Sequence, residues 1–305
     1  MHKKTMQGKW SGKQKMEQAI SVLMAVYKND VADHFAAAVE SVMNQSLPPK
    51  QVVIVVDGPV PDELKNTIEK SAATYDMIEL VWLPENVGTG RAVAIGTEHC
   101  RCPYIARMDS DDLAVSTRFE KEMAYFAEHP EVDLVGSNGQ EFYDDVTHLA
   151  GIKQVPETHA EIIQFIKRRS PFCQQSVIMK KAALIKAGGY RNYLWAEDWD
   201  LWIRMYLSGA NFYNIQESLV YIRINRETFA RRHGLKYYRN IKNILKYMRK
   251  HRMLNFAQYT KEKIIRFVGH VLVPVGMKNF FYRKFLRKDP AQNCVDASHG
   301  NVSRK

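Results

Sequence analysis

Along the first hundred residues the apolar positions follow two alternating rhythms. Residues 20–27 are a short β-rich run that predicts a buried strand, and residues 51–56 and 78–83 predict two more. Phe35, Val39, Val42 and Met43 recur at i, i+4, i+7 and i+8, one face of a helix that stops at Leu47-Pro48-Pro49. A second helix is predicted over 61–72, and the apolar segment 103–108 makes a fourth strand. This alternation is that of βαβ units, so the predicted fold is α/β, a mostly parallel sheet flanked by helices. Ligands of such sheets bind beyond the C-terminal ends of the strands. The segments in that position are Tyr27, Asp57-Gly58, Pro84-Glu85-Asn86-Val87-Gly88 and Asp109-Ser110-Asp111-Asp112.

Farther on, Thr117 with Glu120 and Thr158 with Glu161 have the capping-box spacing and predict two helix starts. A strand is predicted at 132–135, a helix from Lys180 to the stop at Gly188-Gly189, and a helix over 198–207. Strands at 212–215 and 219–224 follow. Beyond Arg226 the pattern is helical, with Tyr237, Ile241, Ile244, Leu245 and Met248 on one face.

Charge divides the chain in three. Its net charge is +11, yet residues 226–288 hold eighteen Lys or Arg against Glu227 and Glu262, and residues 1–18 hold five Lys against Glu17. The remaining body, 19–225, is acidic at about −9. We therefore expect a basic N-terminal segment (1–18), a catalytic or binding domain (19–225) and a basic helical C-terminal region (226–305). A nucleic-acid-binding protein would need a basic body, and this one is acidic. Cys100 and Cys102 are one residue apart, unsuited to an ordinary disulfide or a C-x-x-C metal site, and predict free thiols. No apolar leader follows the basic start. The stretch 264–281 contains Arg266, His270, Pro274 and Lys278, short of the ~20 uncharged residues of a spanning helix. A cytoplasmic protein is the expectation.

Three groups of residues suggest chemistry. Asp109-Ser110-Asp111-Asp112 offers oxygen ligands to a hard cation such as Mg²⁺ or Mn²⁺, or is a solvated turn. Glu197-Asp198, between Trp195 and Trp199 at a helix start, suits a general base or caps the helix. Gly88-Thr89-Gly90-Arg91 could bring backbone amides and a guanidinium to a diphosphate, although it is neither a P-loop nor G-x-G-x-x-G. Asp57-Gly58 reads a base edge or simply turns the chain.

Taken together, the chain resembles a family 2 glycosyltransferase with the GT-A fold. The resemblance is carried by residues 21–27, Val55-Val56-Asp57-Gly58, Pro84-Glu85-Asn86-Val87-Gly88 and residues 106–112. It continues through Gly188-Gly189-Tyr190 to Glu197-Asp198-Trp199-Asp200-Leu201-Trp202-Ile203-Arg204, all in the family's order and spacing. Tyr27-Lys28-Asn29-Asp30 and Phe212-Tyr213-Asn214-Ile215-Gln216-Glu217 are similar to amylovoran-type exopolysaccharide and capsule glycosyltransferases of bacteria. The resemblance implies that Ala25 and Tyr27 contact the nucleoside and that Asp57 accepts from the uracil ring. By the same resemblance Gly88 and Arg91 belong to the phosphate loop, Asp109 lies near the ribose or metal, Asp111 is the main metal ligand, and Asp198 is the catalytic base. Two positions depart from the family pattern. Asn225 stands where many relatives have a metal-binding His, and Ala94 replaces a common Asn.

The family's chemistry implies inverting, non-processive transfer of a hexose or N-acetylhexosamine from a UDP-sugar to a saccharide acceptor. A metal would act as Lewis acid on the departing diphosphate, and Asp198 would deprotonate the acceptor hydroxyl. No Q-x-x-R-W motif of processive enzymes is present. Family acceptors are commonly lipid-diphosphate-linked. The basic tail, interleaved with Phe267, Phe280, Phe281 and Phe285, therefore predicts peripheral attachment to an anionic membrane at its inner face. A sugar-1-phosphate nucleotidyltransferase is the alternative enzyme, but its G-x-G-x-R motif should follow the first strand, where Tyr27-Lys28-Asn29-Asp30 stands.

Overall fold

The computed structural model describes residues 19–193, 195–224 and 233–273. The predicted basic segment 1–18, Asn225 and the basic-aromatic stretch after 273 lie outside the described residues.

Strands β1 (Ile20–Val26), β2 (Gln51–Val56), β3 (Ile78–Trp82) and β4 (Tyr104–Arg107) form the parallel half of a nine-stranded sheet, in the order β3-β2-β1-β4. Helices α1 (Ala32–Met43), α2 (Asp62–Thr74) and α3 (Thr89–His99) connect them. The other half is mixed. The strand β8 (Ile178–Lys180) runs antiparallel between β4 and β6 (Leu134–Phe142), and β6 pairs in parallel with β9 (Phe212–Arg223). The two-residue β5 (Leu113–Ala114) closes the edge against β9, and β7 (Leu149–Lys153) forms a hairpin with β6.

The period of two in β1 sorts its side chains between two cores. Ile20, Val22, Met24 and Val26 pack with α1, α2 and α4 (Arg118–Glu128) on one face of the sheet. Leu23 points to the other face, covered by α3, α5 (His159–Ile166), α6 (Lys181–Lys186), α7 (Glu197–Leu207) and α8 (Gly234–Lys250). Tyr237, Ile241, Ile244, Leu245 and Met248 are buried in that second core, so the first basic helix is packed onto the body. Helix α9 (Phe256–Phe267) starts at an Asn255–Gln258 capping box and runs into a wider π turn at Val268–Leu272. Among the described residues no helix is long and apolar enough to cross a membrane. Cys100 and Cys102 are free thiols, and both, like Cys173, are buried.

The structure corrects several sequence expectations. Thr117 does not cap α4. Gln45, just beyond the end of α1, does so, accepting from Phe119 N (3.1 Å) and donating to the Val115 carbonyl (2.8 Å), while Glu120 accepts from Ser46 Oγ (2.7 Å). The Thr158–Glu161 box forms in full. The strand expected at 132–135 begins at Leu134 and continues to Phe142. Its length was hidden because Ser137, Asn138, Gln140 and Glu141 are buried polar residues that break the apolar rhythm. The two strands expected at 212–215 and 219–224 are one strand, whose pairing shifts opposite residues 137–139.

Beneath β4, Arg118 and Glu122 form an ion pair at 3.1 Å with both side chains fully buried. Arg118 also donates to the carbonyls of Arg107 (3.1 Å) and Val177 (3.3 Å), fixing the β4–β8 junction. Removing one partner of a buried pair strands the other charge, at ~3–5 kcal/mol. Glu122→Ala should therefore lower the unfolding free energy by about that amount in denaturant titration at pH 9. At that pH the Glu122 carboxyl, pushed up to about 8 by burial, is ionised. A loss below ~1 kcal/mol would mean that water or a neighbour replaces the carboxylate.

Candidate functional site

The ends of the parallel strands carry the predicted segments to one edge of the sheet. Half-buried Ala25 and Tyr27 lie at the end of β1. Asp30 ties that end to the acidic segment, its Oδ2 accepting from Tyr27 N (3.0 Å) and Ser110 Oγ (2.8 Å).

At the end of β2 the buried Asp57 carboxylate holds the loop before α3. It accepts from Val87 N (2.7 Å), Gly88 N (3.0 Å) and Asn86 Nδ2 (3.1 Å). A carboxylate has about four acceptor directions, so one remains for a ligand. The turn reading of Asp57-Gly58 holds, because Gly58 has φ +86° and a Cβ there would lie 2.5 Å from Asn86 N. Gly88, with φ +87°, is the N-cap of α3. Arg91 is exposed in the first turn of that helix. Gly90 faces inward, where a Cβ would sit 2.7 Å from the Arg191 carbonyl and 3.2 Å from Glu197 Cβ. Helix α3 and the start of α7 thus meet at a residue that can carry no side chain.

The three aspartates of residues 109–112 have separate roles. Asp109 is partly exposed and pairs with the buried Arg107 guanidinium at 3.1 Å. Asp112 is buried and structural. Its Oδ1 accepts from Arg223 N (2.6 Å) and its Oδ2 from Gln175 Nε2 (2.8 Å), binding the loop to β9 and to the turn at Gln174–Ser176. Asp111 has its carboxyl pushed up to about 7, chiefly by burial and then by the charges of Asp109 and Asp30. A divalent cation relieves that kind of repulsion. No group of three His, Cys, Asp or Glu able to hold a metal occurs among the described residues. Asp109 and Asp111, close enough to repel one another, are two carboxylates that would suit Mg²⁺ or Mn²⁺ whose other ligands are water and substrate phosphate.

Opposite this edge, α7 opens with Glu197 and Asp198. The Asp198 Oδ2 accepts from Ser170 Oγ at 2.7 Å, which orients the carboxylate. Trp199 donates Nε1 to the Ile166 carbonyl (2.8 Å) at the end of α5. Trp195 has φ +59°, a left-handed conformation costly for a bulky side chain, directly before this pair. Burial pushes Glu197 up to about 7, with Asp198 and then Asp109 adding to the rise. The influence of Asp109 on Glu197 means that the two acidic segments lie near one another.

Glu197 makes a testable contribution to pH-dependent stability. Its folded value lies above the ordinary 4.5, so the folded chain holds this proton more tightly than the unfolded chain. Stability from the protonated form is present below about 4.5 and is lost as pH rises through about 7. Relative to wild type, Glu197→Gln should gain up to ~3 kcal/mol on going from pH 4.5 to pH 8, measured by denaturant unfolding at both values. Parallel stability curves for the two proteins would show that Glu197 is solvated in solution.

The structure brings Ala25, Tyr27, Asp57, Gly88, Asp109 and Asp111 to the C-terminal edge of the sheet, and Asp198 to the first turn of α7 near it. It leaves the Arg91 side chain at the surface. Sequence reasoning missed Ser170, Gln175, Arg107, Asp30 and Arg223. Of these, Arg107 and Asp30 lay inside segments already singled out, and Arg223 lay in the last predicted strand.

Comparison with known proteins agrees with this geometry. The family model described as glycosyl transferase family 2 matches residues 21–194. The chain is 31% identical over 264 residues to the amylovoran biosynthesis glycosyltransferase AmsE of Erwinia amylovora, covering 87% of this chain and 98% of that protein. It is 32% identical over 272 residues to the UDP-Gal:alpha-D-GlcNAc-diphosphoundecaprenol beta-1,3-galactosyltransferase of Escherichia coli, covering 88% and 96%. Among solved structures, S. aureus TarS 1–349 in complex with UDP-GlcNAc superposes with a TM-score of 0.60 at 17% identity, covering 88% of this chain and 76% of that one. This likeness is one of fold. With more than half its length matched by the family model, the chain belongs to glycosyl transferase family 2.

Proposed function

We propose that this glycosyltransferase transfers one hexose or N-acetylhexosamine, with inversion, from a UDP-sugar to a lipid-diphosphate-linked saccharide in bacterial surface-polysaccharide biosynthesis. The observation that carries the reading is that the acidic segment after β4 and the acidic start of α7 lie near one another, with Asp109 acting electrostatically on Glu197, the neighbour of Asp198. The printed activity of the E. coli relative, a UDP-galactose-dependent transfer to a diphospholipid-linked sugar, supports both donor and acceptor class.

Ala25, Tyr27 and the open acceptor position of Asp57 would receive the nucleoside. The Gly88 end of α3, with its free amides, would face the diphosphate. Asp109 and Asp111 would hold Mn²⁺ or Mg²⁺, which neutralises charge on the departing diphosphate when bound. Asp198, held by Ser170, would take the proton from the acceptor hydroxyl as it attacks the anomeric carbon. A single base and a single displacement give inversion. The basic face of α8 and α9 supports attachment to an anionic membrane on the side where the UDP-sugar is found.

The test is UDP release across a panel of UDP-hexoses and UDP-N-acetylhexosamines with Mn²⁺, with the product linkage read by NMR. Absence of UDP release with every donor would overturn the nucleotide assignment. Retained anomeric configuration would overturn the single-displacement assignment.

A further inference from the structure

Two buried arginines meet at the end of β4, and they are bonded to different things. Arg118 holds the framework, through Glu122 and the carbonyls of Arg107 and Val177. Arg107, only 1% exposed, is turned toward the acidic edge. Its Nη1 donates to the carbonyl of Leu23, its register partner in β1, and to the Met108 carbonyl (3.4 Å). Its Nη2 donates to Asp109 Oδ1 (3.1 Å), and its Nε is buried without a partner. Such an orphan is uncommon where a guanidinium serves only to tie the fold together. In Arg118 the same nitrogen is bonded to Glu122.

The guanidinium is planar and rigid, so fixing one nitrogen on the β1 backbone fixes where the other can lie. Asp109 is thereby gripped at one oxygen while its side chain stays 38% exposed. The charge of Arg107 also reaches the start of α7. Burial raises the Tyr190 hydroxyl, and Arg107 opposes that rise while Asp198, Glu197 and Asp109 add to it. At Glu197, raised first by burial and then by Asp198 and Asp109, Arg107 again acts in the opposite sense. Arg107 therefore lies near both acidic segments and is bonded to one of them.

We propose that Arg107 is a positioning residue: anchored on the β1 backbone, its guanidinium holds the Asp109 carboxylate by Oδ1 and presents Oδ2 to the divalent cation. The inference rests on the reading of Asp109 and Asp111 as cation ligands. A hydrogen bond to a ligating carboxylate sets its orientation, and losing that bond typically weakens metal binding ~10–100-fold. Charge alone would work the other way, since a cation beside the site repels a metal ion. An effect transmitted by orientation passes through Asp109, which separates it from a general disturbance of the fold.

Mn²⁺ affinity at saturating UDP, read by electron paramagnetic resonance, tests the assignment in a double-mutant cycle. Arg107→Lys keeps the charge and loses the planar fork. With the melting temperature as the check on folding, it should bind Mn²⁺ at least tenfold more weakly than wild type. Asp109→Ala should weaken binding too, and adding Arg107→Lys to it should cause no further loss. Arg107→Met, read by the same criteria, takes the place of the lysine variant if that one does not fold. Unchanged Mn²⁺ affinity in the folded Arg107 variant would overturn the proposal. An equal loss with and without Asp109 would show that Arg107 acts through the fold, and would overturn it as well. If neither variant folds, the guanidinium is a structural tie like that of Arg118, and the proposal falls. A wild type that binds no Mn²⁺ in the presence of UDP would instead overturn the metal reading itself, and this inference with it.

Discussion

An Asp198→Asn enzyme should bind its UDP-sugar as tightly as wild type and turn over at least ~10²-fold more slowly. The amide keeps the size of the side chain and can still meet Ser170 Oγ, which donates to Asp198 Oδ2 at 2.7 Å, but it cannot accept the acceptor's proton. Loss of a group that acts only in the transition state lowers kcat and kcat/KM together. Ser170→Ala should have a smaller effect, because it removes orientation and leaves the base. Donor affinity by calorimetry and turnover with saturating acceptor separate these outcomes. A turnover number unchanged in Asp198→Asn would reduce this residue to a helix-terminal acid and move the search for the base to Glu197.

Asp111→Ala should abolish nearly all transfer, and EDTA should silence the wild-type enzyme until Mn²⁺ or Mg²⁺ is restored. The physical ground is the crowding of Asp111, Asp109 and Asp30 at the end of β4, where burial and mutual repulsion raise the Asp111 carboxyl. Removing one of the two candidate ligands leaves Asp109, already paired with Arg107 at 3.1 Å. Asp112→Asn provides the contrast. Its carboxylate accepts bonds from Arg223 N and Gln175 Nε2, so the change should appear first in stability. Full activity of wild type after exhaustive chelation would end the metal reading, and full activity of Asp111→Ala would move the ion elsewhere.

Much of the site was legible because its parts follow strands whose apolar runs are easy to see. Asp57, the Gly88 loop and residues 109–112 each sit one turn beyond such a run. The supporting residues were not legible, because their partners are remote in the chain. Ser170 lies 28 residues from Asp198, Gln175 lies 63 from Asp112, and Arg223 lies 111 from Asp112. No local rhythm marks such pairs. The same reason explains the failed Thr117 cap: the local spacing was right, but Gln45, 74 residues away from Phe119, took the position. It also explains the mixed half of the sheet, where β5 and β8 are two and three residues long and exist only through their neighbours. The division of labour among three adjacent aspartates is likewise set by what packs behind each one.

The tie between Asp112 and Arg223 has a consequence for synthesis. Strands β1 to β4 lie within the first 107 residues and pair with one another, so the parallel half of the sheet can assemble early as the chain leaves the ribosome. The acidic edge cannot be finished at that stage, because β5 pairs with β9 and Asp112 waits for the amide of Arg223. Closing so long a loop is slow in comparison with local pairing. A nascent chain shorter than about 223 residues therefore has its parallel strands in place while its acidic edge is still open. Catalytic competence arrives late, and with it the protection of the buried Asp112 carboxylate from solvent.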